Sequence, residues 1–110
     1  MAKRISAGMM RFSIDVLEPV DAKQQAGTGK PKFRIAWRDM AAVEPISGRE
    51  FWESQHTTSQ VTHRVTMRWR PEKITPRHQI KYDGRTFEIS SVLDVGERHR
   101  FVQALCMEAA

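Results

Sequence analysis

The fold is decided by residues 61–70, which read V-T-H-R-V-T-M-R-W-R. Within this stretch the less polar positions alternate with polar or charged ones: Val61, His63, Val65, Met67 and Trp69. A period of two residues places one set of side chains on a buried face and the other on a wet face, as in a half-buried β-strand. Because Pro71 cannot donate a hydrogen bond to a neighbouring strand, we expect this strand to end before it.

Similar alternation predicts further strands along the chain. Residues 10–17 and 33–43 alternate apolar with polar side chains, and Pro19 and Pro45 mark where these strands stop. Asp83 and Gly84 stand between the alternating runs at 80–82 and 86–95, which is typical of a tight β-hairpin turn. Residues 101–107 favour a last strand, although their pattern leaves a helix open.

Two segments interrupt the strands. Glu50 follows Ser47 at the spacing of a capping box, so we expect one short helix over residues 47–56. Residues 20–32 show no periodicity and contain Gly27 and Gly29, which predicts a long flexible loop. Five or six strands with one helix predict a mainly β fold, a small antiparallel β-barrel. SH3-like and OB-like barrels and a sandwich are the alternatives within this class.

The composition fits a single domain spanning residues 1–110. Hydrophobic residues make up 40% of the chain and charged residues 28%, which excludes a disordered protein. The longest apolar runs hold only a few residues, so no transmembrane helix is predicted. Cys106 is the only cysteine, which excludes an internal disulfide and a zinc site built from several cysteines.

The chain is basic, with 18 Lys and Arg residues against 13 Asp and Glu residues and a net charge of +5. The basic side chains concentrate in residues 20–38 and 57–85. Such stripes attract nucleic acid, but they are also the ordinary outward side chains of half-exposed strands. A small nucleic-acid-binding barrel of OB or SH3 type therefore stays open as an alternative function.

No catalytic or metal-binding pattern stands out in the sequence. The four histidines do not pair at helical spacing, and His63 falls in the inward register of its strand. Helix capping explains Glu50 without any chemistry. Trp37, Trp52 and Trp69 could stack on bases, but two of the three occupy core-facing registers. We expect a protein that is not an enzyme, with no catalytic residues, no metal and no cofactor.

Three blocks of the chain carry a more specific pattern. The first is A-W at 36–37 with A-A-V-E-P-I-S-G-R-E-F at 41–51, and the second is the stretch 61–70 with I-T-P at 74–76. The third combines Y-D-G-R-T-F-E-I at 82–89, V-L-D at 92–94 and L-C-M-E at 105–108. In this order and spacing the blocks resemble the head-closure proteins of long-tailed bacteriophages, also called head–tail joining, stopper or head–tail adaptor proteins. The opening G-M-M-R-F at 8–12 matches only loosely, and 20–32 matches no fixed pattern.

The resemblance implies a structural role in a virion. Such proteins form a ring at the portal vertex, close the DNA-filled head and connect it to the tail. The implied partners are further copies in a ring of twelve or six, a portal or adaptor protein above, and a tail or tail-terminator protein below. Packaged double-stranded DNA would lie in the channel without sequence-specific contacts, and no membrane is involved. The implied location is the virion neck, after synthesis in the host bacterial cytoplasm.

The resemblance also suggests roles for two groups of residues. Three lysines of the predicted loop would line or plug the DNA channel, where contacts with phosphate depend on charge alone: Lys23, Lys30 and Lys32. Charged and aromatic residues of the helix and strands would form the subunit interface: Arg49, Glu50, Phe51, Trp52, Arg64, Arg68 and Arg85. The alternatives are an ordinary hairpin tip for the loop and aromatic side chains that simply cover the barrel.

Overall fold

A computed structural model describes residues 7–20, 32–46 and 61–109. Six strands occupy most of this part: β1 (Phe12–Pro19), β2 (Phe33–Pro45), β3 (His63–Arg68), β4 (Gln79–Tyr82), β5 (Arg85–Asp94) and β6 (Phe101–Glu108). The mainly β prediction is confirmed, and the last segment, which the sequence left open, is a strand. The predicted helix over 47–56 lies outside the described residues, as do residues 21–31 of the predicted loop.

The strands close into an antiparallel barrel in the order β1-β2-β3-β6-β5-β4, with β4 pairing back onto β1. The predicted small barrel of five to six strands is therefore confirmed. Strand β3 is shorter than the alternating stretch 61–70 that predicts it. Outside β3 the pairing is reduced to single backbone bonds, from the Thr62 N–H to the Cys106 carbonyl and from the Trp69 N–H to the Arg100 carbonyl.

The interior of the barrel is apolar and draws on all six strands. The residues of this core that are buried most completely are Ile14, Val16, Ala41, Val65, Met67, Ile80, Phe87, Ala104 and Cys106. Fully burying a large apolar side chain contributes roughly 1.5–3 kcal/mol. The core thus supplies the main force that holds the barrel together.

A β-bulge on β2 changes which side chains face the core. Val16 pairs with Trp37 and Leu17 pairs with Ile35, so Ala36 is an extra residue on β2. Trp37 therefore faces inward beside Val16, whereas Ile35 faces outward and is 47% exposed. Strict alternation predicts that Ile35 and Trp37 lie on one face of the sheet. That prediction is wrong, because the extra residue between them places their side chains on opposite faces.

A second bulge has the same effect on β5. The pairing with β6 shifts between Ile89 and Ser91, which leaves Ser90 as the extra residue. Before the bulge the buried position is Ile89, and after it the inward positions are Val92 and Asp94. A carboxylate is thereby brought to the inner face at one end of the barrel.

The two ends of the barrel differ in charge. We call one the basic end; it carries the connections 69–78 and 95–100 and the stem residues Val20 and Lys32. The other is the hairpin end; it carries residues 7–11, 61–62 and the turn at 83–84. The described connecting residues at the basic end include two acids, Glu72 and Glu97, and six basic residues: Lys32, Arg70, Lys73, Arg77, Arg98 and Arg100. Those at the hairpin end include only Arg11 and Asp83.

Strands β1 and β2 continue beyond the barrel at the basic end as a two-stranded arm, residues 17–20 and 32–35. Pairing of β1 with β4 stops at Leu17, whereas pairing of β1 with β2 continues to Pro19. The Val20 N–H donates to the Lys32 carbonyl over 2.8 Å, which closes the stem. The 21–31 connection therefore leaves from the tip of this arm. Within the three described ranges, no helix has the length and apolar character needed to cross a membrane.

Candidate functional site

A cavity of about 370 Å³ opens at the basic end of the barrel, and we call it the end pocket. Its floor consists of buried apolar side chains, Met67, Ile74 and Val102, and its walls include the half-buried Trp37 and Trp69. Charged and polar side chains surround it: Arg68, Arg70, Glu72, Lys73, Asp94 and His99. An apolar floor with a few polar groups around it is the usual composition of a binding site.

Arg70 organises one wall of the end pocket. Its guanidinium carbon lies 5.3 Å from the centre of the Trp37 ring, within the range of a cation–π contact. Its Nη1 lies 3.8 Å from Asp39 Oδ2, and its Nε lies 3.4 Å from Glu72 Oε2. The indole N–H of Trp37 is buried and has no acceptor among the described residues. The indole N–H is therefore an unsatisfied hydrogen-bond donor within the described ranges, which costs stability.

His99 organises the opposite wall. Its ring lies 4.7 Å from the Trp69 ring, and its Nε2 lies 3.7 Å from Asp94 Oδ2. The backbone N–H of His99 donates to Asp94 Oδ1 over 3.2 Å, which fixes the turn in which His99 has a φ of 55°. The rings of both wall tryptophans are therefore already in contact with side chains of the same chain.

Two cations beside the end pocket have no neutralising carboxylate among the described residues. Arg68 and Lys73 are exposed, and neither makes an ion pair within the part of the chain that the structure describes. By contrast, Arg70 faces two carboxylates. The pocket therefore combines an apolar floor with positive charge that is available to an anionic partner.

A second cluster lies at the hairpin end. Arg85 and Glu108 form a two-bond ion pair, with Nη2 2.7 Å from Oε1 and Nε 3.0 Å from Oε2. His63 Nε2 lies 3.2 Å from Arg85 Nη2 and His63 Nδ1 lies 3.0 Å from the Thr62 hydroxyl. The Arg85 guanidinium also lies 5.2 Å from the centre of the Phe87 ring. The cluster ties the starts of β3 and β5 to the end of β6.

The ionisable groups of this cluster shift one another's pKa values. Burial lowers the pKa of His63, the positive charge of Arg85 lowers it further, and Glu108 acts in the opposite direction. The hydrogen bond from Arg85 lowers the pKa of Glu108. A neutral His63 can accept a hydrogen bond from Arg85, whereas a protonated one would oppose that contact. The cluster is thus arranged for a neutral histidine beside an intact ion pair.

The residues predicted from the sequence fall at different places. Lys32 is exposed at the tip of the arm, and Arg68 is exposed beside the end pocket. Arg64 is half-buried on β3, where its backbone lies opposite Glu44 in the register with β2. Arg85 is engaged by Glu108 of its own chain. Six further predicted residues lie outside the described ranges: Lys23, Lys30, Arg49, Glu50, Phe51 and Trp52. The channel and interface roles of all ten remain predictions.

The described ranges offer nothing that resembles a metal site. No group of three or more His, Cys, Asp or Glu side chains within 7–20, 32–46 and 61–109 could hold a metal ion. Cys106 is fully buried in the core, and burial raises its thiol pKa to about 12. A thiol with that pKa has almost no thiolate, the reactive form, near neutral pH.

The end pocket is the candidate site that the sequence did not reveal. It brings together Trp37, residues 67–74 and His99, which no sequence motif connects. The inward facing of Trp37 and Asp94 depends on the two bulges, so alternation alone could not place them. The only sequence signal was the presence of two tryptophans, Trp37 and Trp69, each next to an arginine.

Comparisons with known proteins agree with this fold. The sequence profile of the phage head completion protein family matches residues 5–109. The solution structure of protein SF1141 from Shigella flexneri 2a is similar, with a TM-score of 0.72 and 22% identity over 96% of this chain and 98% of that one. A chain from the virion of a native gene transfer agent particle has a TM-score of 0.57 and 14% identity, covering 88% and 93% of the two chains. No curated protein sequence gives a significant match.

Because the profile spans nearly the whole chain, the chain belongs to the phage head completion protein family. Members of this family are structural proteins of the phage virion. The chain is therefore a phage head protein that belongs to the virion and acts together with head and tail components. The resemblance to phage head–tail proteins that the three sequence blocks indicate is confirmed at this level.

Proposed function

We propose that the protein forms a ring at the portal vertex, closes the DNA-filled head and connects it to the tail. The observation that carries this proposal is the match of residues 5–109 to the phage head completion family. The ring would dock below a portal or adaptor protein and present its other side to a tail or tail-terminator protein. Its place would be the virion neck, after synthesis in the bacterial cytoplasm.

The charge of the basic end supports contact with packaged DNA. The arm carries Lys32 at its tip, and the sequence that continues from it contains Lys23 and Lys30. Phosphate contacts of this kind need positive charge and carry no sequence information. We propose that these three lysines face the DNA in the channel and help to retain it.

Neighbouring copies would meet through the arginines on the strands and the residues predicted to form the helix. Arg68 is free for such a contact because it has no ion pair within the described ranges. Arg85 would have to share its contact with Glu108, since their ion pair occupies both carboxylate oxygens. Ring-forming contacts join two different surfaces of the same chain, which allows closure into a cyclic assembly.

Electron microscopy of the vertex tests the proposal. Purified protein is added to DNA-filled capsids that lack tails, and the portal vertex is reconstructed. We expect a ring of added density at the portal with DNA retained, and the symmetry of that density gives the copy number. Absence of vertex binding, together with salt-sensitive binding to free DNA, would instead favour a nucleic-acid-binding barrel.

Charge reversal tests the role of the lysines. We expect the triple variant Lys23→Glu, Lys30→Glu and Lys32→Glu to add to the vertex but to release DNA, measured as nuclease-sensitive DNA in the supernatant. A control variant with two charge reversals changes Arg11 and Lys81 to Glu, at exposed positions away from the arm, and should retain DNA. Full DNA retention by the triple variant would refute the channel role while leaving the ring itself intact.

A further inference from the structure

We propose that the end pocket receives the aromatic side chains of residues 50–53, E-F-W-E, from a second copy of this chain. The proposal deepens the ring described above and rests on it for its biological setting. It assigns a place to Phe51 and Trp52, and it accounts for the positive charge left beside the pocket. The occupant is identified by its chemistry, two aromatic side chains flanked by carboxylates.

The chemistry of pocket and segment is complementary. Met67, Ile74 and Val102 offer a buried apolar floor for an aromatic side chain. Arg68 and Lys73 are exposed cations without an ion pair in the described ranges, and they lie beside that floor. Glu50 and Glu53 would supply the matching charges. Aromatic anchors in a pocket with charged groups around it are typical of the residues that dominate interface energy.

A nucleic-acid base fits the end pocket less well. Base recognition by stacking needs an aromatic face that is free. The Trp37 ring is in contact with the Arg70 guanidinium at 5.3 Å and the Trp69 ring with the His99 ring at 4.7 Å. Both partners belong to the same chain, so a base would first have to displace them.

The geometry favours a second copy over the chain's own segment. The 47–60 segment is anchored at the hairpin end, where the Ile46 N–H donates to the Thr62 carbonyl over 3.0 Å. The pocket lies at the opposite end, one strand length away, or roughly 20 Å for the six residues of β3. Six residues of fully extended chain also span about 20 Å, so Trp52 would reach its own pocket only if the chain ran straight along the barrel. A neighbour placed head to tail avoids this requirement.

A peptide-binding measurement tests the inference without the virion. The probe is a fluorescein-labelled peptide of residues 47–60, and its binding is followed by fluorescence anisotropy. The receiving protein is the full chain with Phe51→Ala and Trp52→Ala, so that its own segment cannot compete. We expect saturable binding that Lys73→Glu in the receiver weakens at least tenfold. Lys81→Glu, an exposed lysine on β4 away from the pocket, is the matched control and should leave the affinity unchanged.

The two tryptophans left in that receiver give an independent readout. The chain has three tryptophans, so Trp52→Ala leaves only Trp37 and Trp69, both in the wall of the end pocket. We expect both indole N–H signals in a ¹H–¹⁵N spectrum to shift on titration with the peptide. The same spectrum shows whether the receiver is folded, and the single variant Trp52→Ala replaces it if it is not.

Three outcomes would overturn the inference. The first is absence of saturable binding up to millimolar peptide, and the second is equal binding of a peptide that carries Phe51→Ala and Trp52→Ala. The third is binding by the double-variant receiver but not by the monomeric wild-type chain, which would mean that each segment fills its own pocket. Peptide binding without a vertex ring in electron microscopy would retain the pocket and refute only the ring.

Discussion

At the scale of single residues, Arg70 is the side chain with the most varied contacts in the end pocket. It faces the carboxylates of Asp39 and Glu72 and covers the ring of Trp37. Asp39 pairs with Ile14 and so lies on the inner face of β2, where a carboxylate is costly unless it has a cationic partner. Asp39 Oδ1 accepts a hydrogen bond from the Met40 backbone N–H over 2.8 Å, and Arg70 supplies the positive charge that faces the other oxygen.

Removing Arg70 should destabilise the protein. We expect Arg70→Met to lower the free energy of unfolding by about 1–3 kcal/mol, because it leaves the Asp39 carboxylate without its cationic partner. Asp39→Asn in the same chain should recover part of this loss, since the two changes act on one contact. Urea denaturation followed by tryptophan fluorescence measures both effects. Strict additivity of the two substitutions would show that the contact carries no energy.

The His63 cluster should make stability depend on pH in a defined window. The folded state holds the pKa of His63 below its ordinary 6.5, so the unfolded chain binds the proton more readily. Stability is therefore unaffected by His63 above about pH 6.5 and falls as the pH drops below it, until the folded-state His63 is itself protonated. The dependence cannot exceed about 1.4 kcal/mol per pH unit for one proton.

Urea midpoints at about pH 7.5 and 5.5 measure this effect. The lowered pKa of Glu108 acts in the same direction but below its ordinary 4.5, outside this interval. We expect His63→Gln to reduce the loss of stability between the two pH values. An identical loss in wild type and variant would assign the pH dependence to another group.

At the scale of elements, alternation in the sequence predicts the strands because a half-buried strand must alternate. The alternation pattern fails at Ala36 and Ser90. Each is an extra residue, and it moves the later side chains of its strand to the opposite face. A bulge is defined by the pairing of two strands, so one strand's own sequence does not reveal it. Phe12 shows another limit: it keeps the inward register of β1 but is 43% exposed at the strand start, where it packs on Tyr82.

The hairpin between β4 and β5 depends on its turn residues. Asp83 and Gly84 have φ values of 52° and 73°, the left-handed conformation that two-residue hairpins favour. A Cβ at Gly84 would meet no atom within 4 Å, so only the backbone opposes a side chain there. We expect Gly84→Ala to cost about 1 kcal/mol and Gly84→Asn to cost less, because Asn tolerates this conformation. Equal losses in urea denaturation would refute the backbone explanation.

At the scale of the whole molecule, the closed barrel makes Cys106 a reporter of global opening. The thiol is fully buried, and burial raises its pKa to about 12. At about pH 8 we therefore expect native protein to resist iodoacetamide and to react only through unfolded chains. Labelling followed by mass spectrometry should speed up in Arg70→Met about tenfold for every 1.4 kcal/mol of stability that the substitution removes. Rapid labelling of wild type under native conditions would show that the barrel opens locally around β6.

The sequence could predict the fold class and the family, but not the end pocket. Strand patterning and the order of the three sequence blocks depend on local residue choice, which can be read directly. The pocket depends on the convergence of residues from four strands, β2, β3, β5 and β6, and from the 69–78 and 95–100 connections. It also depends on the facing that the bulges set. Such long-range placement is a property of the folded barrel. The 47–56 helix and the single-domain expectation stay predictions.

Strand β2 connects the two ends of the barrel and can carry a mechanical load between them. It is a single strand of 13 residues, with one bulge at Ala36, and it runs from the arm that carries the 21–31 connection to the hairpin end where the 47–60 connection begins. Because the first connection joins β1 to β2, a pull on it draws both strands lengthwise together and loads the ladders of β2 with β3 and of β1 with β4 in shear, many hydrogen bonds at once. Because bonds loaded in parallel yield together rather than one by one, β2 can transmit tension from one end of the barrel to the other without unzipping.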